Sequence, residues 1–230
     1  MSRKVQSTSP GMRLQLGVSV LAAARAVDTR LVEARLASFD RAHRSYVSAQ
    51  REVDTAESQL RAAQARLAEC DVIQDEAVET LARALVGDGK PRANPFEPCG
   101  APPPSALTRL PFAEAAQAVH QLVAAVQRGK GASPVTLEAA TAAAEAARTV
   151  EEACAPTASL QDTVRDARRM RDAVAQGWES ALAALRRGCR AAADDGAPDL
   201  YATLFPPVVR TRPKKPAEEL PSAAQTEPAA

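Results

Sequence analysis

Between Met12 and Val86 the chain contains no proline, and after Gly17 no glycine appears until Gly87. Nothing in that span instructs the backbone to turn, so the sequence predicts a single helix over residues 12–87. At ~1.5 Å per residue, that helix would be about 110 Å long. Few globular domains need such a rod. The composition fits it: hydrophobic residues make up 46% of the chain but aromatics only 3%, so alanine carries much of the apolar count. Alanine is the best helix former and buries little area. An all-α, long and thin assembly follows, without a thick core.

A seam runs along this helix. Val32, Phe39, Tyr46, Val53, Leu60, Leu67 and Leu81 recur every seven residues, with Gln74 as the polar gap. Three residues behind them run Ala42, Ala49, Ala56, Ala63, Cys70, Ala77 and Ala84. A strict heptad imposes a left-handed supercoil on whatever packs against it, and small residues in the second series let the partner helix approach closely. Upstream, Arg25, Asp28 and Arg35 interrupt the seam, so the N-terminal third is expected to be less tightly sealed. Charge also divides along the rod: Arg13, Arg25, Arg30, Arg35, Arg41, Arg44 and Arg51 dominate the first half, and Glu52, Asp54, Glu57, Glu69, Asp71, Asp75, Glu76 and Glu79 the second. Parallel self-pairing would oppose like charges, so antiparallel packing is expected.

Gly87-Asp88-Gly89-Lys90-Pro91 stops the rod. Residues 88–110 are studded with proline and lack periodicity, which predicts a loop. A helical return leg over 111–195 is expected in about three pieces. The first ends at Gly129-Lys130-Gly131, the second opens on the cap and first-turn pair Ser133-Pro134, and Pro156 separates the second from the third. The third carries Leu160, Val164, Ala167, Arg171, Val174, Trp178, Ala181 and Leu185 at alternating steps of four and three, a second coiled-coil face. The fold expected is therefore an antiparallel coiled-coil hairpin with a broken return leg. In that register Glu138, Glu145, Glu151 and Glu152 fall beside the basic half of the rod, whereas Arg165, Arg168, Arg169 and Arg171 find acid less neatly. Residues 1–11 are read as a flexible lead. Residues 196–230 are read as a disordered tail, in which one docking turn at 199–205 precedes the basic run Arg210–Lys215.

Other function classes find little support. Arg3, Lys4 and Arg13 before an uncharged run to Ala24-Arg25-Ala26 imitate a secretion signal, but Gln15, Gly17 and Ser19 within the run favour a helix start. The run is also too short for a membrane span. Gly87-Asp88-Gly89-Lys90 lacks the upstream glycine and the following Ser/Thr of a phosphate loop, since Ala84 and Pro91 stand there. Four separated cysteines (Cys70, Cys99, Cys154 and Cys189) fit a reducing compartment, and the chain lacks a clustered ligand set for metal. His43 reads as a solvated flank and Trp178 as core packing. With no base oriented on a nucleophile, no catalytic residue or cofactor is expected. A net charge of +1 gives no global drive towards nucleic acid, and the Arg165–Arg171 cluster is interleaved with Asp162, Asp166 and Asp172.

The stretch LAAARAVDTRLVEARLASFDRAHRSYVSAQREVDTAESQLRAAQARLAE resembles the first helix of FliJ/YscO-type proteins of flagellar and injectisome type III secretion. It shares their Arg/Ala/Glu/Leu-rich rod of unbroken heptads. A break and a helical return leg follow, as in that family. The proline-rich loop, split return leg and long tail depart from it. The resemblance implies a cytoplasmic stalk that inserts into an export ATPase ring and handles secretion chaperones, and no individual residue is carried over by it. From the residues alone, self-association, a helical viral or phage scaffold, and a module for anionic surfaces or nucleic acid remain as alternatives. Leu60→Asp is expected to disrupt the seam by several kcal/mol, since it buries an unpaired charge.

Overall fold

The computed structural model describes residues 9–206. The basic run Arg210–Lys215 and most of the N-terminal lead lie outside them. Among the described residues every regular element is helical: α1 (Pro10–Ala24), α2 (Glu33–Gly87), α3 (Pro104–Leu107), α4 (Phe112–Arg128), α5 (Pro134–Ala191) and α6 (Leu200–Leu204).

The framework is the pair α2 and α5, of 55 and 58 residues, each about 80–90 Å long. They run antiparallel. Contacts climb one helix as they descend the other: Asp88 meets Ser133 and Thr136, Glu57 meets Arg168, Gln50 meets Arg171, and His43 meets Trp178. The expected hairpin is present, and its return leg is the single helix α5.

Several boundaries differ from the sequence reading. The rod does not run unbroken from residue 12. It stops at Ala24, and α2 begins after a short 3-10 turn at Arg30–Val32. Asp28 offers the backbone an alternative to helix here, accepting from the Arg30 N–H at 3.1 Å and from the Arg30 guanidinium at 2.6 Å. Turning back lets α1 bury Val20 and Ala24 beside Val32, a gain that a straight rod would forgo. Ser9 caps α1, so Pro10 and Gly11 belong to its first turn.

The return leg is likewise less divided than expected, because Pro156 lies inside α5. Proline removes one helical hydrogen bond and crowds the preceding turn. Pro156 sits on the exposed side, where the freed carbonyl can meet water, while Ala153 and Val164 hold the inner face. The segment from 88 to 110 is not an unstructured loop either. It contains a 3-10 turn at Glu97–Cys99 and the short α3, and it buries Phe96 and Leu107 completely. At the other end Leu200 and Leu204 of α6 are buried, so the segment from 196 to 206 is folded onto this end rather than a disordered tail.

Two separate cores result. At the loop head, α4 and the 88–110 segment cover the end of α2 and the start of α5, around Leu81, Leu85, Phe96, Val119, Leu122 and Ala143. At the terminal head, α1 and α6 cover the start of α2 and the end of α5, around Val20, Phe39, Tyr46, Trp178, Leu185 and Leu204. Between them, among the described residues, only α2 and α5 are present. Ala49, Val53, Ala56 and Val164 are buried there but belong to neither core.

Candidate functional site

The candidate site is the interhelical seam and the two heads that it joins. Val32, Phe39, Tyr46, Ala49, Val53, Ala56, Leu67, Cys70 and Leu81 are buried on α2 or at its start. Ala42, Leu60, Ala63, Ala77 and Ala84 are half-buried. On α5, Val164, Trp178 and Leu185 are buried, and Leu160 and Val174 half-buried. Gln74, the polar gap, points inward and is only 2% exposed, with its Oε1 lacking a hydrogen-bond partner.

A third position per heptad separates heads from waist. Four residues after each large seam residue stand Leu36 and His43 in the terminal head and Val78 and Leu85 in the loop head. In the waist the same position holds Gln50, Glu57 and Gln64, and Asp71 stands at the edge of the loop head. A helix that faces two neighbours needs this wider stripe, whereas a two-stranded coil does not. The heads could thus have been found by searching that position for apolar residues.

His43 is the main correction at residue level. It is buried, not a solvated flank. Its Nδ1 accepts the Trp178 indole N–H at 3.3 Å, and its ring lies parallel to Phe39 at 6.2 Å between centroids. A Cβ built at Gly17 of α1 would overlap the imidazole, so glycine is required for α1 to approach. Desolvation pushes the His43 pKa down, against a smaller upward pull from Asp40. Beside it, buried Arg13 lies over the Tyr46 ring at 5.7 Å and pairs with Glu179. Trp178 packs against both Phe39 and Tyr46.

At the loop head, Asp88 fastens the start of α5 to the end of α2. Its Oδ2 accepts from the Ser133 N–H at 2.9 Å and from the Thr136 hydroxyl at 2.6 Å. These bonds, the backbone one first, hold the Asp88 carboxyl below its ordinary range. Ser133 also caps α5 by accepting from the Thr136 N–H. The charge register differs from expectation. Glu138 and Glu145 lie at the loop head, alongside the acidic half of α2, because α5 alone makes the return. Arg168, in contrast, finds Glu57 at 2.7 Å. Asp71 and Asp75 are raised, Asp71 by desolvation and Asp75 by desolvation with like charge from Asp71 and Glu79.

The grooves are open and shallow. One of them, about 710 Å³, lies between Thr80, Arg83 and Ala84 of α2 and Val135, Glu138, Ala139 and Ala142 of α5. The four cysteines are free thiols, and burial raises the pKa of Cys154 and Cys189. Among the described residues His, Cys, Asp and Glu gather into no group of three suited to a metal ion. No helix there is long and apolar enough to cross a membrane. What the arrangement does chemically is hold helices together. Comparison with known families, curated proteins and solved structures finds no match for this chain.

Proposed function

We propose that this protein is a non-enzymatic coiled-coil spacer that binds protein partners at its two heads and holds them apart along the α2–α5 rod. The observation that carries this reading is the division into two cores joined by a two-helix waist. The waist seam is narrow, and its outer positions are charged, with Arg165 paired to Asp162 and Arg169 to Asp166. Such a surface favours solvent over adhesion, which leaves the heads as the places where specific contacts are made.

The particular form favoured is a cytoplasmic stalk or chaperone escort of a type III export apparatus. It is supported by the resemblance of the first long helix and by the antiparallel two-helix rod. The test is binding of the purified protein to the hexameric export ATPase from the same organism, followed by sedimentation. A stable complex that is lost on substituting residues at one head supports the stalk. No complex at tens of micromolar, with the isolated protein still folded, rejects that form and leaves the spacer reading to be tested by partner capture.

A further inference from the structure

The terminal head holds a buried histidine at the point where three helices meet. His43 is 4% exposed, and three elements enclose it: Gly17 of α1 against the ring face, Phe39 of α2 beside it, and Trp178 of α5 at Nδ1. With Nδ1 accepting from the indole, the neutral ring must carry its proton on Nε2. The charged group that acts on the ring is Asp40, one turn earlier on α2, which pairs with Arg44 and also feels Arg25 at the end of α1. Arg13 of α1 and Glu179 of α5 pair with each other, Arg13 lying over Tyr46. The α6 residues of this head, Leu200 and Leu204, bring no charge. An imidazolium would therefore meet Asp40 only in competition with Arg44.

We propose that His43 is an acid-released latch for α1. In its neutral form it seats α1 through Gly17 and receives the Trp178 N–H. Proton uptake places an N–H opposite an N–H, and puts a cation where α1 approaches most closely. The ring must then swing towards water, which displaces Gly17 and frees α1 while the α2–α5 pair stays assembled. Burial moves the His43 pKa down, so the neutral, closed form is fully favoured above the ordinary histidine value near 6.5 and is lost progressively below it. Release exposes the apolar face around Phe39, Tyr46 and Trp178. The latch would thus present a binding surface only in acid.

Trp178 is the sole tryptophan, so its fluorescence reports this site alone. The experiment titrates the whole protein from pH 7.5 to 5, following emission, far-UV circular dichroism and hydrogen exchange corrected for intrinsic rate. Expected are a red-shifted emission with a midpoint below 6.5, nearly constant helicity, and protection of residues 10–24 falling by about tenfold per pH unit. The 175–185 amides of α5 should keep theirs. His43→Asn leaves an acceptor near the position of Nδ1 but cannot titrate, so its emission should be flat over this range. His120→Gln should titrate like the parent. An unchanged parent emission, the same transition in His43→Asn, or loss of α5 protection together with α1 would overturn the latch. Because hydrogen exchange on the parent decides the matter, a poorly folding variant does not rescue the idea.

Discussion

The heads and the waist use the same two helices to solve different problems. In each head the α2–α5 pair acquires additional covering elements, so Leu81, Phe39, Leu122 and Trp178 are almost wholly withdrawn from water. In the waist two helices face only each other, and Leu60, Ala63 and Leu160 remain half-exposed. Burial scales with the number of neighbours, and apolar burial is the main favourable term in folding. Stability therefore belongs to the ends, and the middle is held largely by being continuous with them. A rod built this way can be long without being adhesive along its length.

The sharpest way to break this comparison is to truncate equivalent seam leucines. Leu81→Ala should cost about 2–5 kcal/mol, whereas Leu60→Ala should cost about 1 kcal/mol. Urea unfolding followed by circular dichroism measures both. Equal losses would mean that the waist is as tightly sealed as the heads. By the same logic the several kcal/mol expected for Leu60→Asp is too large, because a half-buried charge at that position can reach solvent.

Pro156→Ala should stabilise α5 by about 1–3 kcal/mol, since it restores a helical hydrogen bond and removes a steric clash. A higher melting temperature is the expected reading, and no change would show that the helix already relaxes around the ring. A smaller gain, about 1 kcal/mol, should follow Gln74→Leu, which removes a buried and unpartnered carbonyl oxygen from the loop head. Loss of antiparallel register in that variant, detected by cross-linking across Asp88 and Ser133, would indicate that Gln74 is kept for specificity.

Mild acid should draw opposite responses from the two heads. In the terminal head the lowered His43 pKa makes stability decline as pH falls below about 6.5. In the loop head the raised values of Asp71 and Asp75 act the other way, because their neutral forms are favoured by the fold and stability grows as they protonate. The Asp88 clasp opposes this only at lower pH, since its carboxyl is held below the ordinary aspartate range. Hydrogen exchange followed from pH 7 to pH 4, resolved by head, checks the prediction, since the raised aspartates protonate above their ordinary value near 3.8. Parallel weakening of both heads would contradict it.

Much of the framework was legible in the residues. The heptad series from Val32 to Leu81, the stop at Gly87-Asp88-Gly89, and the Ser133-Pro134 opening place two long helices with a connection between them. Those signals are local or strictly periodic, so the sequence carries them openly. The misreadings share one cause. The turn at 25–32, the uninterrupted passage through Pro156, the folded 96–107 segment and the buried His43 each depend on which surface a distant element covers. Pro156 reads as a breaker in isolation and is tolerated because Ala153 and Val164 are pinned to α2 on the inner face. His43 reads as a flank on a two-stranded coil and becomes core once α1 folds back over it.

By itself, the sequence determined helical content and the two seams, because periodicity and propensity act between near neighbours. Only the tertiary structure decided where the seam widens into a core. That outcome rests on α1, α4 and α6 returning to the ends of α2 and α5, and the gain from such returns lies in apolar area that no single segment can bury alone.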